Sequence, residues 1–182
     1  PQDKDKEYVL NLDFVLKSAE PMLDAGYAIS RMQFVLNDYN FPTVEGVLAS
    51  AGKNLKESVT EDEMLACLTL TGANTSVTFN KKTGWIDYLD INGRAMLEDG
   101  YGVRPDFWRA PTDKDYGSNF QNKLRAWREP EMKLRKFEKR GKETAKQVVA
   151  EYEMPGVDAV LTMTYTLTVT GELIVNEAMK VN

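Results

Sequence analysis

The feature that most constrains this chain is a period-two alternation of apolar and polar residues, repeated along its length between short turn signals. Tyr8, Leu10, Leu12, Phe14 and Leu16 fall on one face of an extended segment, with Asn11 and Asp13 on the other. Ala28, Ser30, Met32, Phe34 and Leu36 repeat the pattern opposite Arg31 and Gln33. Such alternation describes a strand with one buried face and does not suit a helix. The connector Lys17–Tyr27 carries Pro21, Asp24 and Gly26, residues suited to turns.

Two strands cannot bury a sheet face by themselves. The first piece is therefore expected to be the end of a larger sandwich, or to lean on the second domain. Asn37 to Gly52 turns polar and small, with Pro42, Gly46 and Gly52, and marks a domain boundary. The division reads as 1–48 and 49–182.

From Met64 the strands resume. Leu68 and Leu70 alternate with Thr69 and Thr71, and Thr75, Val77 and Phe79 with Ser76 and Thr78. Asn80–Gly84 is a loop, Trp85–Ile91 the return strand, and Asn92-Gly93 the strongest hairpin dipeptide present. Val148–Met154 and Val160–Thr170 flank the turn Pro155–Asp158, and Leu173–Val181 follows Gly171. Phe120, Leu124 and Trp127 stand at helical spacing and predict a short helix within Asn119–Arg128. Met132–Lys139 fits helix or strand. The fold class is all-β, a sandwich.

Composition excludes several chemistries. The chain of 182 residues has no histidine, so no Ser-His-Asp or Cys-His nucleophile operates within it, and histidine zinc sites are excluded. Cys67 is the one cysteine, so there is no intrachain disulfide and no CxxC motif. It reads as a strand residue without redox role. No apolar run approaches the ~20 residues of a membrane helix. A net charge of −5 argues against a wholesale binder of nucleic acid or anionic membrane. Lys123–Lys146 runs the other way, with ten Lys and Arg against four Glu. It reads as a phosphate-tracking patch or as a solvated face balancing acidic neighbours; the interspersed glutamates favour the second.

The densest local information is Phe107-Trp108-Arg109-Ala110-Pro111-Thr112-Asp113-Lys114-Asp115-Tyr116-Gly117. Arg109 is placed to pair with Asp113 or Asp115 across a tight turn, a charge-assisted contact. Pro111 fixes φ, and Gly117 permits a sharp exit. Asp113 and Asp115 read either as a cation or sugar-hydroxyl site or as a turn stapled by Arg109 and by carboxylate-to-backbone bonds. The staple is the stronger reading.

This segment resembles the F-W-R-A-P-T-D-N-D-x-G signature of the small-chain, C-terminal domain of glycoside hydrolase family 2 beta-galactosidases. The lead-in agrees: Phe79 to Thr83-Gly84, then Ile91-Asn92-Gly93, then the Leu97 region. Asp24–Tyr27 and Arg31–Phe34 resemble the last strands of the preceding immunoglobulin-like domain. The chain departs from the signature at Lys114, where the family carries Asn, and has Tyr116 after the second Asp.

The resemblance implies the end of an immunoglobulin-like sandwich followed by part of a galactose-mutarotase-like supersandwich, cut from a longer chain at both ends. It implies a parent that hydrolyses terminal β-D-galactosyl residues with retention, through two glutamates of an upstream barrel. No segment here resembles those glutamate motifs, so this piece is expected to hold no catalytic residue and no metal, and to be inactive alone. Magnesium or sodium is implied only for the parent's barrel. The stretch Gly117, Ser118, Asn119 and Phe120 corresponds to a mobile loop at the active-site rim; Arg109, Pro111, Asp113 and Asp115 structure it. Expected partners are the β-galactoside, the other domains of the same chain and a further copy, with no nucleic acid and no membrane. Bacterial cytoplasm and periplasm are both compatible.

A second reading is a free-standing carbohydrate-binding sandwich. It needs an exposed aromatic platform, for which Trp85, Trp108 and Tyr116 are the candidates. Packing suits Trp85 and Trp108 better, and Trp127 reads as the anchor of a small helix.

Overall fold

The computed structural model describes residues 6–53, 56–98 and 101–181. The chain divides into two compact units, Pro1–Thr43 and Val44–Asn182. The first is an antiparallel hairpin of β1 (Val9–Val15) and β2 (Ala28–Val35), registered from Val9↔Val35 to Val15↔Ala28. Asn37 ties its open end, accepting from the Tyr8 N–H at 2.7 Å and donating to the Lys6 carbonyl at 2.9 Å. Leu10, Leu12, Met32 and Phe34 share one face, as the alternation predicts, and that face is exposed.

The second unit opens with a short helix, α1 (Val44–Ala51), where the sequence reading expects a polar linker. Val44, Val47, Leu48 and Ala51 recur at helical spacing, and Ala51 is fully buried. Gly46 within the helix obscures that signal. The 48/49 division drawn from composition lies inside α1.

Two antiparallel meanders come next. β3 (Thr60–Glu63), β4 (Cys67–Gly72), β5 (Thr75–Asn80), β6 (Ile86–Ile91) and β7 (Arg94–Ala95) form one sheet in chain order. β8 (Lys133–Lys142), β9 (Ala145–Met154), β10 (Ala159–Thr168) and β11 (Leu173–Val181) form the other. Met132–Lys139, ambiguous in sequence, thus contributes to a strand. The architecture is all-β and antiparallel.

The core lies between the two sheets. Leu68, Leu70, Val77 and Phe79 come from one, and Val148, Ala150, Tyr152, Leu161, Met163, Tyr165 and Leu167 from the other. Aromatic contacts bridge them: Trp85 stacks on Tyr152 at 4.1 Å and 8°, and Phe79 meets Tyr165 at 5.1 Å. Trp85 is only 7% exposed, so it packs as expected and offers no platform for sugar. Glycine allows one close approach: a Cβ on Gly72 would run into the Thr168 carbonyl oxygen.

β3 lacks apolar alternation, and sequence reading starts this sheet too late, at Met64. Its ladder to β4 runs from Thr60↔Thr71 to Glu63↔Leu68. Its charges explain much of the basic run. Lys139 of β8 bonds Glu61 and Glu63, Lys146 of β9 bonds Glu61, and Lys81 bonds Glu63. Hydrogen bonds from Lys139, then from Lys81, hold the Glu63 carboxyl down at about 2. Arg135 pairs with Glu153, and Lys136 and Arg140 pair with Glu138. The basic strand is largely neutralised by its neighbours.

Candidate functional site

Between β7 and β8 the described chain from Tyr101 to Pro130 forms no strand. Gly102 holds its start against β6, since a Cβ there would run into the Ile86 carbonyl oxygen. Phe107–Pro111 then forms a strap whose neighbouring aromatics serve different partners. Phe107 meets Trp127 edge-on at 5.8 Å, and both pack against the core. Trp108 meets Phe120 at 5.1 Å and 32°.

The strap leads into α2 (Asp113–Gly117), capped by Thr112 in extended conformation. This helix is absent from the sequence reading, which has a tight turn here. Its signal is Thr112-x-x-Asp115, the capping-box pattern, with acidic residues in the first turn that complement the helix dipole. Asp115 reaches back to accept from the Thr112 N–H at 2.7 Å and the Thr112 hydroxyl at 2.9 Å. Its two oxygens also receive the Arg109 guanidinium at 2.6 and 2.9 Å.

Arg109 therefore selects Asp115. Asp113, at the first helical position, is exposed and has no side-chain partner among the described residues. Arg109, and after it the Thr112 N–H, holds the Asp115 carboxyl well below the usual carboxylate range. Asp115 is thus a permanent anion at neutral pH and cannot donate a proton. Its carboxylate joins Arg109 to Thr112.

Past α2, the Ser118 hydroxyl donates to the Asp115 carbonyl at 3.0 Å, and Asn119 takes a left-handed φ of 59°. Two four-residue helices complete the segment, α3 (Phe120–Lys123) and α4 (Arg125–Arg128). The expected single helix is broken at Leu124, whose φ of −107° and ψ of 21° leave the helical region. Trp127 anchors α4 on the core, as its spacing predicts. Gly117 stands outside the left-handed region, and a Cβ there would meet nothing within 4 Å.

The structure thus brings Arg109, Pro111, Asp115, Gly117, Ser118, Asn119 and Phe120 into one corner, and leaves Asp113 facing solvent. The sequence reading does not find that Phe120 ends on Trp108 and under Arg109, whose guanidinium carbon lies 5.2 Å from the Phe120 ring centre. Of the three candidate sugar platforms only Tyr116 is open, at 58% exposure. Beside this corner, Asn122, Lys123, Arg125, Ala126, Arg128 and Glu129 line a shallow cleft of about 580 Å³.

What the corner offers is hydroxyls, amides and aromatic edges. The buried phenols of Tyr152 and Tyr165 are pushed up by burial and lie in the core. Among the described residues no group of three or more His, Cys, Asp or Glu is arranged to hold a metal ion. Such a surface can position or bind a polar ligand.

A family model described as Beta galactosidase small chain matches residues 71–181, more than half of the chain. A curated protein named Beta-galactosidase, from Priestia megaterium (strain DSM 319 / IMG 1521), is 26% identical over 185 aligned residues. The alignment covers 98% of this chain and 16% of that protein. The chain therefore spans about one sixth of the length of the curated relative it matches.

Proposed function

The chain belongs to the beta-galactosidase small chain family, and on that premise we propose that it is the non-catalytic part of a longer beta-galactosidase of glycoside hydrolase family 2. In this reading the hydrolysis of terminal β-D-galactosyl residues occurs in an upstream barrel. Two glutamates there act as acid/base and nucleophile, a retaining arrangement that sets carboxyls about 5–5.5 Å apart. The present chain supports that barrel, its second unit being part of a galactose-mutarotase-like supersandwich and its hairpin the end of an immunoglobulin-like domain. Gly117, Ser118, Asn119 and Phe120 rim the sugar site.

The observation that carries the reading is the Arg109–Asp115–Thr112 staple. It fixes the start of the rim segment while leaving the side chains of Ser118 and Asn119 exposed. The test is hydrolysis of a nitrophenyl β-D-galactoside. The 182-residue chain alone should release no nitrophenol, and the same chain continuous with an upstream barrel should do so. Turnover by the chain alone, or none by the longer protein, contradicts the reading.

Exposed Tyr116 favours a second reading, a stand-alone carbohydrate-binding module. Calorimetric titration with galactose or lactose separates the two. Millimolar or tighter binding that Tyr116→Ala abolishes supports the module.

A further inference from the structure

We propose that the cleft lined by Asn122, Lys123, Arg125 and Arg128 binds an anionic group, a carboxylate or a sulfate ester, carried by the sugar joined to the galactose. This deepens the proposed function by naming a substrate class, acidic β-galactosides, and rests on the rim reading for its link to galactose.

The cations of the basic run fall into two sets. On β8 and β9 every Lys and Arg except Lys142 has a carboxylate. Lys133 pairs with Glu131, Arg135 with Glu153, and Lys136 and Arg140 with Glu138. Lys139 and Lys146 pair with Glu61. In the cleft, Lys123 and Arg125 have no ion pair among the described residues. Arg128 has only its chain neighbour Glu129, 3.6 Å away and 84% exposed, a pair of little strength. Three cations thus face one carboxylate, a local balance of +2 in a chain of net charge −5. A concave surface of one sign concentrates ions of the other.

The cleft stands on anchored backbone. Trp127 packs against the core and meets Phe107 edge-on at 5.8 Å. Ala126 comes within 3.9 Å of a would-be Cβ on Gly156, so α4 rests on the turn Pro155–Val157. Arg125 and Arg128 are three apart on α4 and are therefore neighbours on its surface. Planar guanidinium forks match the oxygens of a carboxylate or a sulfate better than an ammonium does.

The cleft also adjoins the rim. The Asn122 amide donates to the Asn119 side-chain oxygen at 2.5 Å, and the Lys123 N–H donates to the Asn119 carbonyl at 3.1 Å. The rim itself is neutral: Ser118 and Asn119 offer a hydroxyl and an amide, and Arg109 is paired with Asp115. A neutral patch fit for galactose hydroxyls thus borders a cationic one that neutral galactose leaves without a partner.

The probes are lactobionate and lactitol, which share a galactosyl unit and differ by a carboxylate against a hydroxymethyl group. Nuclear magnetic resonance titration of the 182-residue chain measures their binding. Lactobionate should bind about three-fold tighter or better, shifting the amides of residues 122–128, and added salt should erase the preference. Arg125→Gln should cut that preference about three-fold. Lys142→Gln removes an equal charge outside the cleft and should leave it intact. Lactose carrying a sulfate ester on its glucose unit, set against lactose, tells sulfate from carboxylate. Equal binding of both anionic sugars and their neutral partners, or equal effects of Arg125→Gln and Lys142→Gln, overturns the proposal.

The longer enzyme separates this site from the rim reading. There Arg125→Gln should lower kcat/KM for lactobionate about three-fold and leave lactitol unchanged. If Gly117→Ala alters turnover while Arg125→Gln spares both sugars, the rim stands and the acidic substrate class is overturned. If neither variant alters turnover although the chain still prefers lactobionate, the rim reading fails and the anion site stands.

Discussion

Two glycines of the motif face opposite demands, and substituting each with alanine gives a matched test. Gly84 closes the loop after β5 at φ 76°, where an L-residue is strained. A Cβ there would collide with the Tyr152 hydroxyl, stand 2.7 Å from Leu134 Cδ1 and 3.2 Å from Ala150 Cβ. Tyr152 cannot retreat, being fully buried and stacked on Trp85. Left-handed backbone costs an alanine about 1–2 kcal/mol, and overpacking a filled core about 1–3 kcal/mol more. Gly84→Ala should therefore lose roughly 3 kcal/mol, or about 6–12 °C in Tm for a chain of this size. Gly117 ends a helix outside the left-handed region in open space. Gly117→Ala should be neutral or stabilising by about 0.4–1 kcal/mol, through the unfolded chain. Urea unfolding followed by tryptophan fluorescence measures both. A Gly84→Ala midpoint equal to wild type, or a loss above about 1 kcal/mol for Gly117→Ala, refutes the packing at these positions.

Trp85→Ala removes the ring stacked on Tyr152 and should cost about 3–5 kcal/mol in the same urea experiment. For pH, Glu63 has its folded value depressed from 4.5 to about 2. The stabilisation from its pairs with Lys139 and Lys81 is present above about 4.5 and lost as pH falls through about 2. Tm of the wild type should fall between about pH 5 and pH 2, and Glu63→Gln should flatten that fall. β11 is an outer strand with Val175, Met179 and Val181 exposed, whereas the opposite edge strand of its sheet is rich in Lys and Arg. Light scattering should show self-association at high concentration that Val175→Lys reduces; a clean monomer speaks against it.

Legibility in the sequence tracks the strength of local signals. Strands with alternating faces, such as β4, β5, β9 and β10, stand out because one face is buried between the sheets. The Asn92-Gly93 turn announces itself because both residues must take positive φ, here 58° and 73°. β3 is invisible because its stabilisation is electrostatic and nonlocal, supplied by lysines 76 to 85 residues away. α1 hides behind Gly46. In the candidate site the Arg–Asp staple is legible as a pairing of charges, though only the helical turn that presents Asp115 to Thr112 decides which aspartate is used. The Trp108–Phe120 contact joins two distant positions across the α2 turn and the left-handed Asn119, and no periodicity encodes it.

In the proposed function, Gly117, Ser118, Asn119 and Phe120 shape turnover from the rim of a site whose catalytic glutamates belong to another domain. Kinetics of Gly117→Ala in the longer enzyme test it most directly, because the substitution meets no clash in this conformation of the segment. Altered kcat or KM on a nitrophenyl β-D-galactoside is expected, with undiminished folding stability. Wild-type values of both constants would contradict it.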